Sequence, residues 1–201
     1  ILGKFIGDGV LDLIIVFQQE IRRFLILVGS QSSFAGPGII KKILNWSKNS
    51  EQGEELNQKA ILKACFNMSK TKTGALIIIS TDTELRYHAS TGEQIDAKLS
   101  SALLENIFFK NSPMHDGGLI IYENRIKAAR CILPVSENPD IPANFGLRHR
   151  AAIGITENST AFAIIVSEET GKIAVAERGQ LDNNLTTDQL QERMRLHFKK
   201  D

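Results

Sequence analysis

Two short segments concentrate the residues that can do chemistry: Pro113-Met114-His115-Asp116-Gly117-Gly118 and Leu147-Arg148-His149-Arg150. Asp116 offers a hard oxygen ligand or a general base, and His115 beside it offers an imidazole. Gly117 and Gly118 remove Cβ atoms where a ligand would need to approach the backbone. Arg148 and Arg150 supply planar guanidinium forks suited to phosphate. The set as a whole suits a divalent cation and a polyphosphate. Each part also has a plainer reading. An Asp before two glycines is a common turn former, and His115 can be a turn residue. Arg148-His149-Arg150 can be a solvated cap at a helix start, but cations there oppose the helix dipole. An anion bound at the helix N-terminus resolves that conflict. Ser167-Glu168-Glu169-Thr170 runs into Gly171 and reads either as a hairpin turn or as a carboxylate for a metal or a site cation. Gly74-Ala75 and Ser90-Thr91-Gly92 read as punctuation between elements.

The elements that must position these groups follow from periodicity. Residues 54–68 carry apolar residues at helical spacing behind an acidic first turn, and 75–79 is a continuous apolar run that reads as a buried strand. Residues 84–88 read as a more exposed strand and 100–109 as a helix. Residues 119–122 and 125–133 form a hairpin about Glu123-Asn124. The 134–145 stretch holds three of the five prolines and reads as a loop. Residues 149–156 continue as a helix, 161–166 and 172–176 as strands around Gly171, and 187–197 as a closing helix capped by Thr186 or Thr187. Mixed order of this kind predicts an α/β fold with a central mixed β-sheet flanked by helices.

Composition sets the outer bounds. A chain of 201 residues with 42% hydrophobic and 23% charged residues fits one sizeable soluble domain with a short appendage. A net charge of +1 argues against a general polyanion binder, so no nucleic-acid partner is expected. Cys65 and Cys131 lie in apolar contexts without metal-binding spacing and read as buried free thiols. Residues 1–30 read as an amphipathic helix, packed on its own domain or juxtamembrane. Its longest uncharged run falls far short of the ~20 residues a spanning helix needs. Residues 31–52 read as a linker and 53–201 as the catalytic domain. No signal peptide is visible, and a start at Ile1 instead of Met reads as the start of a fragment.

Taken together, these residues resemble the diadenylate cyclase domain, the family that makes cyclic di-AMP from two ATP. Asp116-Gly117-Gly118 matches its Asp-Gly-Ala motif, and Arg148-His149-Arg150 its Arg-His-Arg motif. The surrounding segments agree: Gly74-Ala75-Leu76-Ile77, Thr91-Gly92, residues 95–100, Pro113-Met114-His115, Cys131-Ile132-Leu133-Pro134 and residues 166–171. Residues 16–23 resemble the stretch that follows the transmembrane helices in the membrane-anchored branch. The resemblance implies a divalent metal, Mg²⁺ or Mn²⁺, with His115, Asp116 and Glu168 as its ligands. It implies catalytic roles for Asp116, Arg148 and His149. Gly117, Gly118, Leu133, Arg148, His149, Arg150, Ser167 and Glu168 would contact the nucleotide, with Leu133 beside the adenine. It also implies ATP as substrate, cyclic di-AMP as product and a face-to-face homodimer for catalysis. The place of action would be the cell membrane, with the catalytic domain on the cytoplasmic side and the anchor in upstream helices absent from this chain. Two positions depart from the pattern. Gly118 stands where Ala is usual, which adds backbone freedom and keeps the site open, and Leu147 stands where Thr is common, which removes a hydroxyl contact to phosphate. Two rivals remain: a catalytically weak or inactive module that senses ATP or cyclic di-AMP, and a different nucleotidyltransferase. The second lacks its usual Asp-x-Asp pair here, and no Walker-type Gly-x-x-x-x-Gly-Lys-Ser/Thr run exists either.

Overall fold

The computed structural model describes residues 56–80, 85–142 and 145–198. The helix and linker expected over 1–52 lie outside the described residues.

Helix α1 (Gln58–Thr71) starts where the Asn57 side chain accepts the amide hydrogen of Ala60 at 3.2 Å. The cap places the start after the acidic residues near position 54, so α1 has no acidic first turn and its end extends beyond Met68. Ile61, Ala64, Cys65 and Met68 form its buried stripe. Strand β1 (Ala75–Ile79) is buried along its whole length. The strand expected over 84–88 is instead a one-turn helix, α2 (Arg86–Ser90), followed by a strand not expected from the sequence, β2 (Glu93–Lys98). Helix α3 (Ser101–Ile107) is capped by the Ser100 side chain. Strands β3 (Gly118–Tyr122) and β4 (Arg125–Cys131) are joined by Glu123 and Asn124, with φ of 52° and 53°. Two left-handed residues in a row make the type I′ turn that matches strand twist. After helix α4 (Leu147–Glu157) come β5 (Phe162–Val166), β6 (Ile173–Glu177), β7 (Gln180–Leu185) and α5 (Thr187–Phe198). Thr186 caps α5: its hydroxyl accepts from the Gln189 amide, and the Gln189 side chain accepts from the Thr186 amide. Strand β7 was also not expected.

The strands form one mixed sheet in the order β2-β4-β3-β1-β5-β6-β7, as expected, with helices on both faces. Only β1 and β3 run parallel; the remaining pairs are antiparallel. One face packs on α1, α3 and α5, with Phe108, Phe162, Met68 and Met194 in its core. The other packs on α4 and on Leu85 and Ala89 at α2.

The register brings the singled-out segments to one end of the sheet. Gly74 precedes β1, Gly117 precedes β3 and Gly92 precedes β2. Strand β4 ends with Cys131 opposite Gly118, and β5 ends with Val166 opposite Ala75. Carrying the pairing of Ile77 with Leu119 back along the parallel strands sets Asp116 level with Gly74.

Candidate functional site

At that end of the sheet, beside α4, lies a cleft of about 500 Å³. Its wall combines apolar side chains, Leu76, Leu133 and Ala151 among them, with the charged groups Glu93, Asp116, Arg130 and Arg148. A site of that size and mixed lining is large enough for a nucleotide.

Asp116 is exposed at the cleft, on the turn that enters β3. Gly117 holds φ of 111°, and a Cβ there would lie 3.0 Å from the carbonyl carbon of Arg130. Both facts demand glycine. Gly118 works differently from the expectation. It is not left-handed, so backbone freedom is not its contribution. A Cβ on it would sit 2.5 Å from Leu133 Cδ1, so its missing side chain gives Leu133 room in the wall.

His115 packs just behind. Its Nδ1 meets the Ser112 carbonyl at 2.5 Å, and since a carbonyl only accepts, Nδ1 carries the proton. That leaves the Nε2 lone pair as a ligand atom, the orientation that metal-binding imidazoles use.

Arg148 sits in the first turn of α4. Its Nη1 donates to Glu168 Oε2 at 2.7 Å and its Nη2 to the His115 carbonyl at 3.4 Å. Its Nε is buried with no partner among the described residues. A buried guanidinium hydrogen without an acceptor is costly and points to a ligand that supplies one. Gly74 makes the ion pair possible: a Cβ there would lie 2.8 Å from Glu168 Oε2 and 2.9 Å from Arg148 Nη1. With Glu168 largely exposed, the pair contributes about 1 kcal/mol or less. Charged hydrogen bonds to a polyphosphate contribute about 1.5–3 kcal/mol. A bound polyphosphate can therefore draw Arg148 away from Glu168.

The start of α4 has Gly146 as N-cap with no side-chain cap bond, so the first amides are free of a side-chain acceptor. Its 11 residues bring a full helix dipole to that point. His149 stacks on Phe145, with ring centroids 5.1 Å apart. Burial lowers its pKa below the usual imidazole value, and the negative charge of Glu169 opposes that shift. The Arg150 carbonyl accepts from the Ser136 amide at 3.0 Å, tying α4 to the loop after β4. Ser167 closes its own turn, its hydroxyl accepting from the Thr170 amide.

Asp116, Gly117, Gly118, Leu133 and Arg148 thus meet in the cleft wall, whereas His115 and Glu168 reach it through Arg148. His149, Arg150 and Ser167 do not line it. His115, Asp116 and Glu168 do not converge as a three-ligand cage; among the described residues no three His, Cys, Asp or Glu side chains do. Three further residues, in segments that match the family but to which no site role was assigned, contribute. Gly74 admits the Arg148–Glu168 pair. Gly92 admits the Ala129 carbonyl, on which a Cβ would collide. Thr91 accepts the Ile132 amide at 2.9 Å and holds the cleft rim. All belong to motifs read as loop punctuation, and a glycine that makes room looks the same in sequence as one that turns the chain. Cys65 and Cys131 are both buried free thiols, as expected, and burial pushes each pKa up to about 12.

The model of the DAC family, described as DisA bacterial checkpoint controller nucleotide-binding, matches residues 62–181. Cyclic di-AMP synthase CdaA of Bacillus subtilis is 42% identical over 200 residues, covering 100% of this chain and 70% of that protein. A diadenylate cyclase of Listeria monocytogenes is 37% identical over 190 residues, 94% of this chain and 66% of its own length. A crystal structure of a double mutant of DacA from Staphylococcus aureus superposes with a TM-score of 0.69 at 40% identity, covering 71% of this chain and 95% of that one. A hypothetical membrane spanning protein from Bacillus cereus superposes with a TM-score of 0.63 at 27% identity, covering 92% of this chain and 96% of that one.

Proposed function

The chain belongs to the DAC family, and from that premise we propose that it is a diadenylate cyclase, joining two ATP molecules into cyclic di-AMP with release of two pyrophosphates. One observation carries the reading: an exposed carboxylate, Asp116, shares a cleft with Arg148, whose Nε is buried and lacks an acceptor among the described residues.

The adenine lies against the apolar wall at Leu133, and the close approach at Gly117 and Gly118 brings the ribose to Asp116. Asp116 takes the proton of the 3′-hydroxyl. The hydroxyl oxygen then forms its bond to the α-phosphorus of a second ATP, and the bond from that phosphorus to the bridging oxygen breaks to release pyrophosphate. Arg148 and the N-terminal end of α4 stabilise the charge that gathers on the phosphates. His149, Arg150 and Ser167 lie outside the cleft lining and act on the phosphates only by placing α4 and the turn after β5. Glu168 keeps Arg148 oriented until the nucleotide arrives.

The donor set also fits a divalent cation. Magnesium and manganese take one or two carboxylates and complete their shell with phosphate oxygens and water. Asp116, the carboxylate in the cleft, would hold it with phosphate oxygens and water, whereas His115 and Glu168 do not converge with it on one point. When bound, the cation neutralises phosphate charge.

Each cleft holds one ATP, so closing the ring requires two copies face to face. Among the described residues no helix is long and apolar enough to cross a membrane. The likeness to a protein titled as membrane spanning supports a place at the cell membrane. There the catalytic unit faces the cytoplasm.

The test is direct. The purified chain is incubated with ATP and Mg²⁺ or Mn²⁺, and products are read by mass spectrometry. Cyclic di-AMP and pyrophosphate in a one-to-two ratio are expected. A dimeric preparation that binds ATP yet makes no product with either metal sinks the cyclase reading and leaves the sensing module.

A further inference from the structure

The charges around the cleft do not balance for a polyanion. Glu93 and Asp116 line it, and Arg148 is already answered by Glu168. The remaining lining cation, Arg130, forms no ion pair or side-chain hydrogen bond among the described residues. It is exposed, and it belonged to no motif in the sequence reading.

Its position comes from a β-bulge. Ile120 pairs with Ala128 and Gly118 with Cys131, so Ala129 and Arg130 together oppose Leu119. Arg130 takes the left-handed conformation, φ 57°. The extra residue returns Cys131 to the face on which Ala128 packs, while Ala129 packs into the opposite one. In an unbroken strand Arg130 would share the face of Ala128. Bulges beside active sites commonly re-aim a side chain, and here the residue re-aimed is a charged one in a conformation that glycine or asparagine would adopt with less strain. The Arg130 backbone packs on Gly117, just after Asp116, and Arg148 bonds the carbonyl of His115, just before it. Asp116 therefore sits between two guanidinium-bearing residues.

We infer that Arg130 is a phosphate-binding residue of this cleft. The inference rests on reading the cleft as an ATP site. The phosphate can belong to the nucleotide in the same cleft or to the one that a facing second copy presents.

The experiment uses the full chain with Arg130→Asn, which suits the left-handed backbone, and Arg130→Lys, which keeps the charge. Arg130→Gly replaces the first if it fails to fold. Affinities for ATP, ADP and adenosine are measured by calorimetry in an Asp116→Asn background, and turnover is measured with Asp116 intact. If Arg130 meets the phosphate of its own nucleotide, Arg130→Asn weakens ATP binding about tenfold or more, with adenosine unchanged and Lys largely restoring the loss. If it meets the facing nucleotide, ATP affinity holds and cyclic dinucleotide formation at saturating ATP falls about tenfold, with the dimer population unchanged. The proposal is overturned if a folded Arg130→Asn protein keeps both quantities within about twofold of the parent, or if the parent binds no ATP. A parent that binds ATP without making product defeats the cyclase reading alone, since the affinity arm still judges Arg130.

Discussion

The two faces of the sheet are built from different residues. The face under α1, α3 and α5 is closed by large side chains, with Phe108, Phe162, Met68 and Met194 interlocked. The face under α4 mixes Leu76, Ile78, Ile120 and Ile165 with the small residues Ala128, Ala163, Ala174 and Ala176, and Ala152 of α4 packs against it. Small residues let α4 lie close, and Gly154 continues this: a Cβ there would meet the Pro134 carbonyl oxygen at 2.5 Å. Among the described residues α4 and α2 cover only part of that face, and the cleft lies at the end of the sheet beside α4. Stability and chemistry are thereby assigned to opposite sides of one sheet.

Five substitutions can break or sharpen that division. Asp116→Asn should lower cyclic di-AMP formation by ~10²–10⁴ while the thermal midpoint and ATP affinity stay near the parent values. Loss of folding would make Asp116 a structural turn residue. Phe162→Ala, on the closed face, should cost about 3–5 kcal/mol in denaturant unfolding and leave ATP affinity intact in the folded protein. An equal fall in affinity would show that the faces are not separable. Arg148→Ala should weaken ATP binding by about 1.5–3 kcal/mol in calorimetry, and Glu168→Gln by less, because the pair it breaks is partly exposed. The smallest effect concerns acid. Burial depresses the His149 pKa, so below the ordinary value of ~6.5 the unfolded chain takes up a proton that the folded one resists. Stability should fall as pH drops through that value and be independent of this group above it. His149→Gln should flatten that part of the melting-temperature profile.

The closed face and the central strands were legible in the sequence because burial on both sides leaves continuous apolar runs such as Ala75–Ile79 and Phe162–Val166. The sheet edges were not. Glu93–Lys98 and Gln180–Leu185 are mostly exposed and polar, and among the described residues each pairs along one side only. In β2, Asp96 adds a left-handed bulge that breaks the alternation a strand is recognised by. Residues 84–88 misled in the opposite sense, since a one-turn helix is too short to show a period of 3.6. At the site, Asp116 and Arg148 were legible from residue type. The roles of Gly74, Gly92 and Arg130 were not, because they arise from contacts between strands distant in the chain.

The gathering of strand ends also bears on how the protein matures. The cleft needs Gly74, Gly92, Gly117, Cys131 and Glu168 side by side, and the pairing that aligns them spans most of the sheet. Such non-local contacts form late, after the chain has met the entropy of closing long loops. A partly folded chain therefore holds Asp116 and Arg148 but no pocket to unite them. Nucleotide binding becomes a report that the sheet is complete, and ATP, by binding only the finished form, adds to its stability.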